Sequence, residues 1–322
     1  MSDTRPLIIT GGAGLIGSNL AAELNRRGFT NLIIVDHLNH PDKSRNLARL
    51  KVADYVDKAE FRQRFLADKQ APAAAVFHLG ACSSTTETNA DYLDDNNLRY
   101  TQQLCEWSRL HQARFIYASS AATYGDGRQG YSDDESAIPA LKPLNLYGLS
   151  KQRFDEWALE KGLFRSIAGI KYFNVYGPGE NHKGDMRSVV NKAFRQIEDS
   201  GRLQLFKSYR PDYADGQQER DFVYVKDAVA MTLFFYENPG VSGIFNVGTG
   251  QTHTWLDLAR AVFAALGREP QIDFVDMPLA LRDKYQYHTL ADTRKIRAAG
   301  FSQPITSLQD AINDYAHCRE QG

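Results

Sequence analysis

Cysteine is scarce in this chain of 322 residues, and its pattern is not that of a metal site or a disulfide framework. The three cysteines, Cys82, Cys105 and Cys318, are odd in number and lack CxxC spacing, and the eight histidines form no HExxH motif. A reducing compartment would leave such cysteines as free thiols. The sequence therefore predicts a protein without a structural disulfide and without a bound metal.

Long apolar runs are missing as well. The longest, AVAMTLFFY at residues 228–236, is far too short to cross a bilayer. The first residues, MSDTRPLIIT, lack the basic segment and apolar stretch of a secretion signal. We therefore expect a cytoplasmic protein with no membrane partner.

An excess of charge of either sign is also absent. Lysine and arginine number 38 against 39 aspartates and glutamates, so no overall field attracts nucleic acid, and an anionic ligand must be held by local groups. Apolar residues make up 43% of the chain and charged residues 24%, as in ordinary globular proteins. The length fits two folded units or one large α/β unit.

Short runs rich in β-branched residues alternate with longer segments of helical period in the first half. The strand candidates are PLIIT, NLIIVD, AAAVFHLG and ARFIYASS, the last ending at Ser120. Strands that alternate with helices indicate βαβ units, whose strands are parallel and whose crossovers pack on the sheet. The fold class predicted is α/β, a doubly wound Rossmann sheet with a second, smaller α/β domain.

A glycine-rich turn follows the first predicted strand. LIITGGAGLIG places Gly12, Gly14 and Gly17 at GxGxxG spacing, and Gly11, Gly14 and Gly17 at GxxGxxG spacing. Such a turn brings backbone N–H groups and a helix N-terminus against a pyrophosphate with no Cβ in the way. The second strand ends at Asp36, where an acid can hydrogen-bond the adenosine ribose. These features together predict dinucleotide binding.

The choice between the two dinucleotides stays open from the residues alone. Asp36 favours the free 2′-hydroxyl of NAD, whereas Lys43, Arg45 and Lys58 could neutralise the 2′-phosphate of NADP.

A second pattern, YGLSK, places Tyr147 and Lys151 one helical turn apart. A nearby cation favours the phenolate, so the tyrosine can take a proton from an alcohol while a hydride departs. YxxxK alone is common by chance, but here it follows Ser120, which lies at the carboxyl end of a predicted strand, where α/β sheets bind ligands. The order predicts proton transfer to and from an alcohol oxygen.

The segments TGGAGLIG, FHLGACSSTTE, ASSAATYG, YGLSK and KYFNVYGP resemble the extended short-chain dehydrogenase/reductase family, whose members modify nucleotide-activated sugars. With HKG, RDFVYV and VSGIFNVGTG, the chain is similar to the subgroup of nucleotide-sugar epimerases that inverts the exocyclic C6 of an ADP-heptose, from about residue 6 to 316. The resemblance implies an isomerase that transfers hydride transiently to tightly bound NADP, with NAD possible, and supplies heptose for lipopolysaccharide cores. It also implies a homo-oligomer and suggests a homopentamer.

The resemblance assigns four catalytic positions. Ser120, Tyr147 and Lys151 match the family triad, and Lys183, in HKG, matches a second acid/base proposed for the subgroup. Returning hydride to the opposite face requires the ketone to turn over, which moves its oxygen to a place that a second acid/base can serve. From the residues alone, Lys183 is more simply a solvated loop charge.

Further positions match ligand contacts of the family. The cofactor contacts implied are Gly11, Gly14, Leu15, Ile16, Gly17, Asp36, His37, Lys43, Lys58, Leu79, Gly80, Ala81, Cys82, Ser83, Asn96, Lys151 and Val175. The substrate contacts implied are Asn174, Asp185, Lys192, Phe206, Arg220 and Tyr285. Arg220 suits a diphosphate because a guanidinium binds it bidentately, although a salt bridge to Asp221 or another acid is the alternative.

Three departures from the subgroup pattern fall on the substrate side. Asp185 stands where serine is expected, Lys192 where histidine is expected, and the segment 208–219 is longer than its counterpart. A carboxylate near a diphosphate is unfavourable unless it pairs with Lys183 or Lys192. A different heptose nucleotide, or another hexose or heptose epimerisation, therefore stays open.

Other functions also stay open. A 4-epimerase or sugar-nucleotide reductase needs residues that are all present, whereas a 4,6-dehydratase would place acids after Ser120, where Ala121 and Ala122 follow. A dinucleotide-sensing binding protein without turnover would share the fold. We expect an NADP-binding domain at 1–175, rejoined by segments near 220–250, and a nucleotide-sugar domain at 176–322.

Overall fold

The computed structural model describes residues 4–282 and 285–320. Within these residues the strands are β1 (Leu7–Thr10), β2 (Leu32–Asp36), β3 (Asp54–Asp57), β4 (Ala75–His78), β5 (Arg114–Ser120), β6 (Ala168–Tyr172), β7 (Asn174–Tyr176), β8 (Leu203–Phe206), β9 (Glu219–Arg220), β10 (Phe222–Tyr224), β11 (Gly243–Val247), β12 (His253–Thr254) and β13 (Ile272–Val275).

The α-helices are α1 (Leu15–Arg26), α2 (Pro41–Leu47), α3 (Lys58–Leu66), α4 (Ala90–Leu93), α5 (Tyr100–Leu110), α6 (Leu146–Glu160), α7 (Val189–Ser200), α8 (Val225–Glu237), α9 (Trp255–Ala265), α10 (Leu279–Arg282), α11 (Arg294–Ala298) and α12 (Leu308–Glu320). A π-helical segment, Asp94–Arg99, joins α4 to α5. Turns of 3₁₀ helix occupy Ala121–Tyr124, Glu135–Ala140, Leu163–Arg165 and Asn181–Met186.

Seven strands form one parallel sheet in the order β11-β6-β5-β4-β1-β2-β3. The chain crosses from the centre toward β3, returns, and continues on the other side of β1. The four strand candidates in the first half correspond to β1, β2, β4 and β5, and the predicted doubly wound α/β fold is confirmed.

Apolar side chains are buried on both faces of this sheet. Successive residues of a strand point to opposite faces, and the neighbours Ile8 and Ile9 of β1 accordingly belong to two different buried clusters. Helix α5 contributes Leu104 to the cluster that contains Ile8, and helix α1 contributes Leu20 to the cluster that contains Ile9. Because both faces are covered, the carboxyl ends of the strands are where side chains can reach a ligand.

The later part of the chain also forms three two-stranded sheets, separate from the seven-stranded one. Strand β7 pairs with β10 and β8 with β13, both in parallel, and β9 pairs with β12 in antiparallel. Strand β11 lies at the edge of the seven-stranded sheet beside β6, so the chain returns to that sheet after leaving it. In the described part of the chain, every helix is too short or too polar to cross a membrane.

Candidate active site

The glycine-rich turn connects β1 to α1 and touches the loop that follows β4. Gly11 has a φ of 68°, and a Cβ there would lie 2.7 Å from the Cα of Gly80. A Cβ on Gly17 would lie 2.2 Å from the carbonyl oxygen of Gly11. Both contacts exclude a larger residue, so two of the predicted glycines are required by conformation and packing.

The N-terminus of α1 is open to an anion. Its N-cap, Gly14, supplies no side-chain hydrogen bond, and its first turn contains no acidic residue. Free N–H groups and the positive end of the helix dipole together favour a phosphate. Leu15 and Ile16 form the first residues of this helix.

A carboxylate and a lysine meet at the end of β2. The side chain of Asp36 is buried and accepts hydrogen bonds from the backbone N–H of Ala13, at 2.9 Å, and from Nζ of Lys43, at 2.8 Å. Lys43 Nζ also donates to the carbonyl of His37 at 3.0 Å. The acid that was predicted to bind the adenosine ribose is therefore neutralised by a cation at its side.

The predicted cofactor residues Leu79 to Ser83 form the loop after β4. The backbone N–H of Gly80 donates to Oγ1 of Thr10 at 3.2 Å, which holds this loop against β1. Lys58 Nζ, at the end of β3, donates to Oδ1 of Asn96 at 3.1 Å. Val175 is half-buried in β7, opposite Val223 of β10.

One buried polar atom at this turn has no partner among the described residues. Nδ1 of His182 is buried without a hydrogen bond, and Nε2 of the same ring lies 4.0 Å from where a Cβ on Gly14 would stand. Burial lowers the pKa of this imidazole to about 4, so it is neutral. The unpartnered nitrogen, the glycine turn and the open helix end fit a dinucleotide pyrophosphate.

Three of the four catalytic candidates lie together at the end of β5 and the start of α6. The Ser120 hydroxyl lies close enough to the Tyr147 phenol to lower its pKa. Asn145 caps α6 by accepting from the backbone N–H of Gly148 at 2.8 Å, which fixes the helical turn that carries the tyrosine. Lys151, one turn further on, is buried and donates from Nζ to the carbonyl of Ala118 at 2.8 Å.

Burial controls the pKa values of this pair. It lowers the pKa of Lys151 to about 8, although the carboxylate of Asp155 opposes the change. Burial also raises the pKa of Tyr147 above its ordinary value of 10.0, and the nearby Ser120 hydroxyl lowers it by less. The spacing alone suggested a lower phenol pKa, but loss of water around the half-buried tyrosine is the larger effect.

Lys183 lies in the 3₁₀ turn Asn181–Met186 and is half-buried. Its backbone N–H donates to the carbonyl of Glu180 at 3.0 Å, while its side chain makes no hydrogen bond or ion pair with the residues that the structure describes. Burial lowers the pKa of the ammonium, and the carboxylate of Glu180 partly opposes this. The lysine is therefore not the fully solvated loop charge that the residues alone suggested.

Arg220 is buried between two aromatic rings. Its guanidinium carbon lies 5.2 Å from the ring centre of Tyr285 and 5.7 Å from that of Trp255, and its nitrogens donate to the carbonyls of Glu219 and Gln286. The alternative salt bridge to its neighbour is wrong, because Asp221 instead accepts from the backbone N–H groups of residues 249, 250 and 291.

The other predicted substrate contacts are more exposed. The Lys192 ammonium donates to the backbone carbonyl of Asp185 at 2.6 Å, not to its carboxylate. Asn174 donates to Oγ1 of Thr289 at 3.2 Å. Phe206 ends β8 and is half-buried.

Sequence reasoning missed several residues that hold these candidates in place. Asn97 donates to the carbonyl of Cys82, at 2.9 Å, and to Oγ of Ser150, at 3.0 Å, and so joins the β4 loop to the helix of Lys151. Glu180 is fully buried in the loop of residues 177–188 that carries Lys183, called the Lys183 loop below. His182, in the same loop, lies at the glycine turn. The only sequence signal for Asn97 was its place beside Asn96; Glu180 stands two residues before His182, which is the first residue of HKG.

Comparison with known families gives one match over most of the chain. Residues 7–248 match the family described as the NAD dependent epimerase/dehydratase family. The chain is 52% identical over 309 residues to the ADP-L-glycero-D-manno-heptose-6-epimerase of Nitratidesulfovibrio vulgaris strain DP4, with 96% of each chain covered.

Solved structures agree with this match. The ADP-L-glycero-D-manno-heptose-6-epimerase of Helicobacter pylori has a TM-score of 0.83 at 26% identity and covers 99% of this chain and 98% of its own. The UDP-glucose 4-epimerase of Thermus thermophilus, in complex with NAD, has a TM-score of 0.78 at 25% identity and covers 97% of this chain and 98% of its own.

Proposed function

The chain belongs to the NAD dependent epimerase/dehydratase family, and we propose that within it the protein interconverts ADP-D-glycero-D-manno-heptose and ADP-L-glycero-D-manno-heptose by inversion at C6. The observation that carries this proposal is that Ser120, Tyr147 and Lys151 lie together at the end of β5 and the start of α6, in a chain 52% identical to a protein of that name. No net oxidation accompanies the reaction.

The cofactor is a nicotinamide dinucleotide, and we propose that it is NADP. When bound, it accepts the hydride from C6 and returns it to the other face. The neutral His182 ring, the open end of α1 and the glycine turn would hold its pyrophosphate. Lys43 offers a positive group for a 2′-phosphate and neutralises Asp36, which supports NADP over NAD.

Tyr147 takes the proton from the C6 hydroxyl in one direction and returns it in the other. Its pKa is raised by burial, so a neighbouring positive charge is needed to make the phenolate accessible. Lys151 provides that charge below pH 8, while its ammonium is protonated. Ser120 lies beside the tyrosine, where its hydroxyl can orient the reacting oxygen.

Lys183 is the second proton-transfer group. Its side chain is half-buried, and it has no hydrogen-bond partner among the described residues that would occupy its proton. Its lowered pKa brings an ordinary value of 10.5 closer to the working range. A base separate from Tyr147 can serve the ketone after it has turned its other face to the cofactor.

Arg220 binds the diphosphate of the substrate through its guanidinium group. Its guanidinium donates to two backbone carbonyls and lies near the rings of Tyr285 and Trp255, and these contacts restrict its orientation. A group restricted in this way loses little conformational entropy when it binds an anion.

The test is NMR of the C6 configuration after incubation with ADP-D-glycero-D-manno-heptose, with GDP- and UDP-sugars in parallel. We expect inversion of the ADP-heptose, a loss of at least about a hundredfold in Tyr147→Phe and in Lys183→Met, and no loss in Lys161→Met, an exposed lysine outside the site. Turnover of a UDP-sugar without C6 inversion of the ADP-heptose would replace the proposal by a 4-epimerase. Full activity of Lys183→Met would remove the second base.

A further inference from the structure

A single asparagine side chain links the Lys183 loop to the glycine-rich turn between β1 and α1, called the cofactor turn below. Nδ2 of Asn46, at the end of α2, donates to the carbonyl of Ala13 at 2.9 Å and to the carbonyl of Gly179 at 2.8 Å. Ala13 is a residue of the glycine-rich turn, and Gly179 precedes Lys183 by four positions. One amide group therefore spans the two segments.

A second asparagine makes a parallel link. Nδ2 of Asn19, on α1, donates to the carbonyl of Leu15 at 2.8 Å and to the carbonyl of Pro178 at 2.8 Å. Its first partner lies in the opening turn of α1, whose N-terminus would hold the pyrophosphate, and its second lies in the Lys183 loop. Side chains on α1 and α2 thus hold two consecutive backbone carbonyls of that loop, those of residues 178 and 179.

The loop lies close against these two helices. Gly179 has a φ of 98°, and a Cβ there would stand 3.3 Å from Oγ of Ser18 and 3.5 Å from atoms of Asn19 and Asn46. On its other side, the carboxylate of Glu180 accepts from Oγ of Ser188 at 2.7 Å. The backbone is therefore fixed on both sides just before the turn that carries the lysine.

We propose that Asn19 and Asn46 are positioning residues for Lys183, which transmit the position of the cofactor turn to the second proton-transfer group. The inference rests on the proposed function, because it needs Lys183 to take part in the reaction. Neither asparagine touches the lysine side chain; each acts through the backbone carbonyl that it holds. A displacement of about 1 Å at a reacting group can cost on the order of a hundredfold in rate, so these links are large enough to matter.

The chain offers a matched control. Asn25, on the same helix as Asn19, also donates to two backbone carbonyls, those of Phe29 and Lys51, both at 2.8 Å. It joins the end of α1 to the segment before β3, from which it also accepts the backbone N–H of Lys51 at 2.7 Å. Asn25→Ala thus removes at least as many hydrogen bonds without touching the proposed connection.

The experiment compares Asn19→Ala, Asn46→Ala and Asn25→Ala with the wild-type protein loaded with NADP. The first measurement is amide hydrogen exchange of residues 177–188, which needs no turnover. The second is kcat and KM for C6 inversion of ADP-D-glycero-D-manno-heptose. We expect about tenfold faster exchange in this segment and about tenfold lower kcat, with KM within about twofold, in Asn19→Ala and Asn46→Ala. Asn25→Ala should match the wild type in both.

Two results would overturn the inference: unchanged exchange of residues 177–188 in both variants, or unchanged kcat despite faster exchange. An equal loss of kcat in Asn25→Ala would also overturn it, since the effect would then be one of general stability. If the wild-type protein does not invert C6 at all, the proposed function fails, and the exchange data alone decide whether the two asparagines hold the loop.

Discussion

At the level of single residues, burial of a charged side chain changes its pKa and costs free energy in the folded state. Lys151 has only 4% of its surface exposed, and its ammonium satisfies one donor on the carbonyl of Ala118. Placing a cation in such surroundings costs free energy in the folded state, which appears as a pKa of about 8 in place of 10.5. A group that is retained at such a cost is typical of a functional position.

Replacing this lysine should therefore stabilise the protein while it destroys activity. Below pH 8 the amine is protonated in both the folded and the unfolded chain, so the folded state carries the full burial cost. Above pH 10.5 it is neutral in both, and the cost vanishes. We expect Lys151→Met to raise the free energy of unfolding by about 3 kcal/mol at a pH of about 7.

Urea unfolding at pH values of about 7 and about 10.5 would measure this difference, with Lys161→Met as the exposed control. The gain should shrink toward zero at the higher pH. A variant that is less stable than the wild type at the lower pH would show that the ammonium is well compensated in the folded protein.

Glu180 provides a second prediction at this scale. Its carboxylate is fully buried and accepts from the backbone N–H groups of Gly177 and Ser188, from Oγ of Ser188 and from the hydroxyl of Tyr315. A glutamine in its place offers one acceptor oxygen, so buried donors lose their partners. We expect Glu180→Gln to cost about 1–3 kcal/mol in the free energy of unfolding and to lower kcat.

The matched variant is Glu198→Gln, which removes a more exposed carboxylate paired with Arg319 and should cost less than about 1 kcal/mol. Equal losses in urea unfolding for the two variants would contradict the role given to Glu180.

At the scale of elements, strands were predictable and the π-helical segment was not. A run such as LIIVD is rich in β-branched residues and fits a buried parallel strand, so its composition was enough. The segment Asp94–Arg99 carries no such signal, because an added residue in a helical turn is favoured by tertiary contacts and not by local preference. Here the contact is that of Asn97 with the β4 loop.

This segment yields a prediction for cofactor binding. Asn97 is 1% exposed, accepts from the backbone N–H of Cys82 at 2.8 Å, and donates to the carbonyl of the same residue and to Ser150. Asn97→Leu should leave these groups unpaired and cost about 2–3 kcal/mol in stability. Because the β4 loop would move, NADP affinity should fall about tenfold.

Fluorescence titration with NADP and urea unfolding would measure the two effects. Asn96, the residue before Asn97, accepts a hydrogen bond from Lys58 in an exposed pair. The comparison variant is therefore Asn96→Leu, for which we expect a smaller loss of stability. Unchanged NADP affinity in Asn97→Leu would contradict the link between the π-helical segment and the cofactor loop.

For the whole molecule, topology explains how distant segments meet. The carboxyl ends of β1, β2, β4 and β5 lie along one edge of the parallel sheet, so the positions of the glycine turn, Asp36, the β4 loop and Ser120 followed from their order in the sequence. The surroundings of Arg220 and Lys183 did not follow, because they depend on loops whose packing has no local period. There, only the family resemblance named the residues.

The pairing of Lys43 with Asp36 at the end of β2 predicts which of the two dinucleotides binds more tightly. A ligand that binds only the folded protein stabilises it by about 2.7 kcal/mol at about a hundred times its Kd. Because Lys43 neutralises Asp36, we expect NADP to raise the Tm more than NAD at equal concentration, and we expect Lys43→Ala to remove the difference. Thermal unfolding of protein freed of cofactor measures this, and an equal or greater shift with NAD would contradict the assignment of NADP.

The central claim is that C6 is inverted by removal and return of the same hydride, with only the hydroxyl proton passing through Tyr147 and Lys183. Incubation with ADP-D-glycero-D-manno-heptose in D₂O, followed by NMR of C6, tests it most directly. We expect an inverted centre that keeps its original hydrogen, since a hydride does not exchange with water. Inversion with deuterium at C6, or no inversion, would contradict it.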